Sequence, residues 1–126
     1  MKVRSAKAKG RSGQKDVEEL IKDHLGLGDD HVKSTPSSVT GEDIWLSKFG
    51  RATFPFSVEV KRTEKLNIDM AFAQAESNAH GYLPLLVHRK NNTGWKVTLS
   101  FVEFLEIIHE MRRLEQMLQE GAYEDV

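Results

Sequence analysis

The chain predicts an α/β (α+β) domain with a mixed central β-sheet flanked by helices. Three observations carry that prediction. The runs "FPFSVEVK" and "YLPLLVHR" are short, β-branched and aromatic, and bounded by turn residues, as strands are. Between them "NIDMAFAQAESNA" is rich in Ala and Met without Gly or Pro, as helices are. After Ser100 the apolar residues recur at helical spacing to the end of "FLEIIHEMRRLEQMLQ". At 126 residues and 39% hydrophobic the chain is long enough for one real core and too short for two domains.

Taken in order, the N-terminal residues 1–13 read as a flexible basic arm. Lys2, Arg4, Lys7, Lys9, Arg11 and Lys15 face no acid within residues 1–15, so the net charge of −1 conceals a basic start on an acidic body. Such an arm suits either a polyanion or simple solvation. From Gln14 to Leu25, Val17, Leu20, Ile21 and Leu25 follow helical spacing, and "GLGDD" stops the helix. A weak strand near Val32 leads into the loop "KSTPSSVTG". "EDIWLS" and Phe54 to Lys61 read as an antiparallel hairpin with "KFGRA" as its turn. A helix over Asn67 to Ala79 ends at Gly81, and "YLPLLVHR" pairs with "WKVTLS" through "KNNTG". Ser100 and Glu103 form a capping box for a helix of about five turns. The order is thus α-β-β-β-α-β-β-α, with the domain over 14–118 and an acidic tail over 119–126.

No apolar run reaches the about 18 residues of a membrane span and no apolar stretch opens the chain, so the expectation is a cytoplasmic protein with no membrane partner. With no cysteine and no paired-histidine motif, a bound metal would be held by oxygen.

Chemistry concentrates where strands carry carboxylates. Side chains at i and i+2 share a face of a strand, so Glu59 and Lys61 point together while Val58 and Val60 take the other face. If the hairpin forms, Asp43 joins them at one end of the sheet. Two close carboxylates repel unless a cation lies between them. Magnesium binds through one or two carboxylates plus phosphate and water, and can generate hydroxide for phosphodiester cleavage while Lys61 orients the water or neutralises charge.

"GEDIWLS" followed by "VEVK" resembles the signature of the PD-(D/E)XK nucleases, in which an acid on one strand precedes Glu-x-Lys on the next. A closer resemblance is to the Holliday-junction resolvases of archaeal type and their phage-encoded relatives, which carry K-G-x-x-x-E at the first helix and a serine in the loop before the aspartate strand. Here "KGRSGQ" stands in for the first, with Gln14 at the glutamate position, and Ser34 of "VKSTPSS" is the counterpart of the serine. The resemblance spans roughly residues 9–90. It implies a restriction-endonuclease-like core and a Mg2+-dependent (Mn2+ substituting) endonuclease that cuts four-way DNA junctions as a homodimer, in the host-cell cytoplasm if phage-encoded. Nucleases of the same family with another target, such as ends, nicks or flaps, and a lapsed DNA-binding module on the same fold remain alternatives.

The implied site comprises Asp43, Glu59 and Lys61, with Asp43, Glu59 and Val60 holding metal and Ser34 and Gln74 in support. Gln14 departs from the family pattern and could serve only as a neutral ligand or donor. On a helical wheel the apolar stripe centres near Leu20, His24 and Val17, with Asp16 and Glu18 at its borders. Asp16 is therefore the candidate for the missing helix carboxylate, with Gln14 and Glu18 open. Lys7, Lys9, Arg11, Lys15, Lys33, Arg62 and Lys65 are the candidate DNA contacts. Trp45 and Trp95 read as core aromatics in preference to base-stacking ones. The row Met111, Leu114, Met117 and Leu118 reads as core or as part of a dimer surface.

Overall fold

The computed structural model describes the backbone of residues 3–36 and 41–124. Ser37 to Thr40 of the predicted loop, and the ends of the arm and the acidic tail, lie outside the described residues. The elements are α1 (Val3–Leu25), β1 (Val32–Ser34), β2 (Ile44–Leu46), α2 (Lys48–Thr53), β3 (Phe56–Arg62), α3 (Ile68–Ser77), β4 (Leu83–Arg89), β5 (Lys96–Thr98) and α4 (Phe101–Glu124). Strands β3, β4 and β5 form a mixed sheet, parallel between β3 and β4 and antiparallel between β4 and β5. Strands β1 and β2 form a separate antiparallel pair with Val32 opposite Leu46. No helix among the described residues is long and apolar enough to cross a membrane.

The register explains how the sheet is filled. Val58 and Val60 stand beside Leu85 and Val87, and this face packs with Val17 and Ile21 of α1 and with Val32, Ile44 and Leu46 into one core. Ser57, Glu59 and Lys61 take the opposite face, where α3 lies on Leu86 through the buried Ala71 and Ala75. Small residues let that helix approach the strand closely. Its first turn is closed by Asn67, whose side chain accepts from Met70 N at 3.1 Å.

Three expectations are corrected. The predicted β2–β3 hairpin is absent, because "KFGRA" folds as helix α2 and not as a tight turn. Ser47 caps this helix by accepting from Gly50 N at 3.0 Å, and Gly50 lies so near the His31 carbonyl that a Cβ would come within 2.8 Å. Strand β2 therefore pairs with β1, and among the described residues one backbone bond, Asp43 N to Val58 O at 2.8 Å, joins the pair to the larger sheet. The basic arm is also different: α1 begins at Val3, so Lys7, Lys9 and Arg11 ride on helical backbone. The third correction concerns the predicted tail over 119–126, which is helical as far as Glu124.

Candidate carboxylate site

Asp43 sits just before β2 at the open edge of β3. Its amide donates to Val58 O at 2.8 Å and its Oδ2 accepts from Val60 N at 2.7 Å, so one residue fills two backbone positions that a neighbouring strand would fill. The role of Val60 here is this amide; its side chain is in the core. Because Asp43 occupies an edge, it can be met from both faces of β3. Gln14 approaches from α1, and Glu59 from the face that carries α3; both help to stabilise its charge.

Glu59 is only 2% exposed. Lys61 Nζ lies 3.5 Å from its Oε1, and Asn78 Nδ2 reaches its Oε2 at a long 3.4 Å. Burial, and next the charge of Asp43, push the Glu59 carboxyl up to about 7, with Lys61 and Asn78 opposing. Burial likewise raises Asp43 against the pull of Val60 N–H and Lys61. The pair thus retains a proton well above the usual carboxylate range, the expected behaviour of one buried and one half-buried acid with too little positive charge nearby.

The predicted residues divide accordingly. Asp43, Glu59, Lys61 and Gln14 come together. Asp16 does not: it is exposed, about 200° round the helix from Gln14 at 3.6 residues per turn. The buried stripe of α1 runs through Val17, Glu18 and Ile21, whereas Leu20 is 42% exposed. Glu18, left open by the sequence, is a structural anchor. It accepts from Ser34 N at 2.7 Å, from Lys15 Nζ at 2.8 Å and from Lys22 Nζ at 2.9 Å. Burial acts to raise its carboxyl, but the two lysines and the Ser34 amide outweigh burial and hold it down at about 2.

Ser34 faces Ile44 across the β1–β2 pair, and its Oγ is buried without a partner among the described residues. Gln74 is exposed on α3; Asn78, one turn later, is the α3 residue that touches Glu59. No pattern in the sequence marks Asn78, since an Asn at a helix end reads first as a cap. Arg51 likewise carries no mark in the sequence. It pairs with Glu42, donates to Phe56 O at 3.0 Å and stacks over Tyr82 at 4.3 Å, beside an open cleft of about 270 Å³ shared with Asn78.

Among the candidate DNA contacts, Lys7, Arg11 and Lys33 are exposed and Lys9 is half-buried. Lys15 is tied to Glu18 and Glu19, and Arg62 donates to Ser12 Oγ at 3.3 Å. Lys65 lines a second open cleft of about 700 Å³ with Arg89, Lys90 and Lys96. Trp45 is 43% exposed with Lys33 Nζ 5.9 Å above its ring, which corrects its reading as core; Trp95 does pack on the core.

Among the described residues no group of three or more His, Cys, Asp or Glu comes together. The groups that do converge, the buried Glu59 carboxylate, the half-buried Asp43 carboxylate and the neutral Gln14 amide, can all present oxygen, and a small hard cation needs only one or two carboxylates beside water and phosphate. They fit such an ion. Comparison with known proteins returned no match to a family model, a curated protein or a solved structure.

Proposed function

We propose that the chain is a divalent-cation-dependent endonuclease acting on branched DNA, most specifically on four-way junctions. The observation that carries this reading is the Asp43–Glu59 pair, Glu59 buried and Asp43 half-buried, with Lys61 Nζ 3.5 Å from Glu59: two acids held together that retain a proton where one cation would take its place. Bound Mg2+ or Mn2+ would supply a Lewis acid for the phosphate and an acidified water.

The chain's own groups would do the rest. Asp43 and Glu59 would hold the cation through their carboxylate oxygens, with Asp43 oriented by the Val60 amide. Lys61, with its side chain 33% exposed, would neutralise charge developing on a phosphate oxygen or orient the attacking water. Lys65, Arg89, Lys90 and Lys96 offer positive charge for the backbone of a DNA arm. A four-way junction presents two equivalent strands, so a symmetric pair of chains would cut both.

Gln14 favours a second reading, a DNA-binding module whose site has lapsed. A carboxylate at this position would have brought a third anionic ligand to the pair; the amide brings none. Incubation of wild type, Asp43→Asn and Lys61→Ala with junction, flap, nicked and linear DNA, with Mg2+ or with EDTA, separates the readings. Metal-dependent cuts lost in both variants support a nuclease, and the preferred substrate defines its target. Junction binding without cleavage by wild type would support the lapsed module, and cleavage undiminished in both variants would refute the assignment of the site.

A further inference from the structure

Helix α4 is out of proportion to the domain that carries it. Nine of its large apolar side chains are between 38% and 75% exposed, and none belongs to the hydrophobic core. Helices of soluble domains do not leave such a face to water; a contiguous apolar patch of more than a few hundred Å² marks an interaction surface. Within the helix, Phe104, Ile107, Met111, Leu114 and Leu118 are spaced alternately by three and four residues. That is the seam of a two-helix coiled coil, whose knobs are met by an equivalent seam.

We infer that α4 pairs with α4 of a second copy of this chain, antiparallel, about a two-fold axis near residues 112 and 113. Area supports a stable pair. Large side chains carry on the order of 150–200 Å² each; at about half exposure the six on the seam or flanking it, Phe104, Ile108, Met111, Leu114, Met117 and Leu118, offer roughly 500 Å² per chain, about 1,000 Å² for the pair, the lower bound of a specific interface.

Charge selects the orientation. In a parallel, in-register pair the flanking position of Glu110 meets Glu115 of the other helix, twice by symmetry, and like charges at these positions oppose pairing. Antiparallel packing removes that clash. It sets Glu110 beside Met117 and Glu115 beside Ile108, and stacks Met111 on Leu114, Ile107 on Leu118 and the large Phe104 over Gly121. The opposite occupant would be the chain's own apolar groove beside Leu20, Leu25 and Phe54, which predicts a monomer. This inference does not depend on the nuclease reading, and its test needs no DNA.

The test is sedimentation equilibrium of the full chain at micromolar concentration, beside the double variant Met111→Glu/Leu114→Glu. The expected result is twice the chain mass for wild type, and a dissociation constant raised at least roughly a hundredfold in the variant, as for loss of central interface residues. Both substitutions lie outside the core, so the variant retains the thermal transition of the domain. A wild-type monomer, or association unchanged in the variant, overturns the inference. Orientation is read separately, because the chain has no cysteine of its own. Ile107→Cys mixed with Leu118→Cys crosslinks in an antiparallel pair, whereas a Phe104→Cys homodisulfide requires a parallel one and would overturn the register.

Discussion

Replacing Glu59 by Gln should stabilise the metal-free protein above neutral pH and remove most of its stability loss with rising pH. The carboxyl is moved from 4.5 to about 7 by burial and by Asp43, so the folded state holds its proton more tightly than the unfolded chain does. The contribution of this group is therefore complete below pH 4.5 and is lost as pH rises through about 7. At about 1.4 kcal/mol per pH unit, the displacement from 4.5 to about 7 corresponds to about 3 kcal/mol. Urea denaturation in EDTA across that window reads it directly. Wild type should lose about 3 kcal/mol, and Glu59→Gln should be nearly level apart from the smaller share of Asp43. Parallel pH profiles in the two proteins would refute the claim that burial and the charge of Asp43 raise the Glu59 carboxyl.

Glu18 should give the opposite profile. Its carboxyl is lowered from 4.5 to about 2, so its contribution is present above pH 4.5 and is lost as pH falls through about 2. Glu18→Gln should cost about 3 kcal/mol at neutral pH, since a neutral amide replaces the anion that Lys15, Lys22 and the Ser34 amide stabilise; chemical denaturation measures the loss, and it should vanish in strong acid. Gln14→Glu should place a third carboxylate beside Asp43. The expected outcome is a metal-free protein destabilised at neutral pH by about 1–3 kcal/mol and a tighter divalent-ion complex, read by melting with and without Mn2+.

Much of the site was legible in the sequence because strand alternation is a strict rule. Glu59 and Lys61 share a face for that reason alone, and the hydrophobic runs around them fixed the strands. The sequence brings Asp43 to Glu59 by way of a hairpin that does not form. Asp43 instead reaches β3 through its own backbone and carboxylate at a sheet edge, after α2 has carried the chain away. Helix α2 was hidden because a six-residue helix containing a glycine has neither length nor propensity to signal itself. The rotation of α1 departs from its hydropathy for a different reason. Apolar content put Leu20 at its centre, but Glu18 is the side chain drawn inward, by the Ser34 amide and Lys22, and burial followed hydrogen bonding more than hydropathy. Asn78 and Arg51 make contacts far apart in sequence, and no local pattern encodes those.

The most direct test of the account is titration of Mn2+ into wild type and Asp43→Asn, followed by electron paramagnetic resonance of the free ion. The carboxylate pair predicts a saturable site in wild type, weakened strongly when pH falls below about 7 as Glu59 takes up its proton, and lost in Asp43→Asn. Absence of a saturable site in wild type, or equal binding by the variant, would contradict the account.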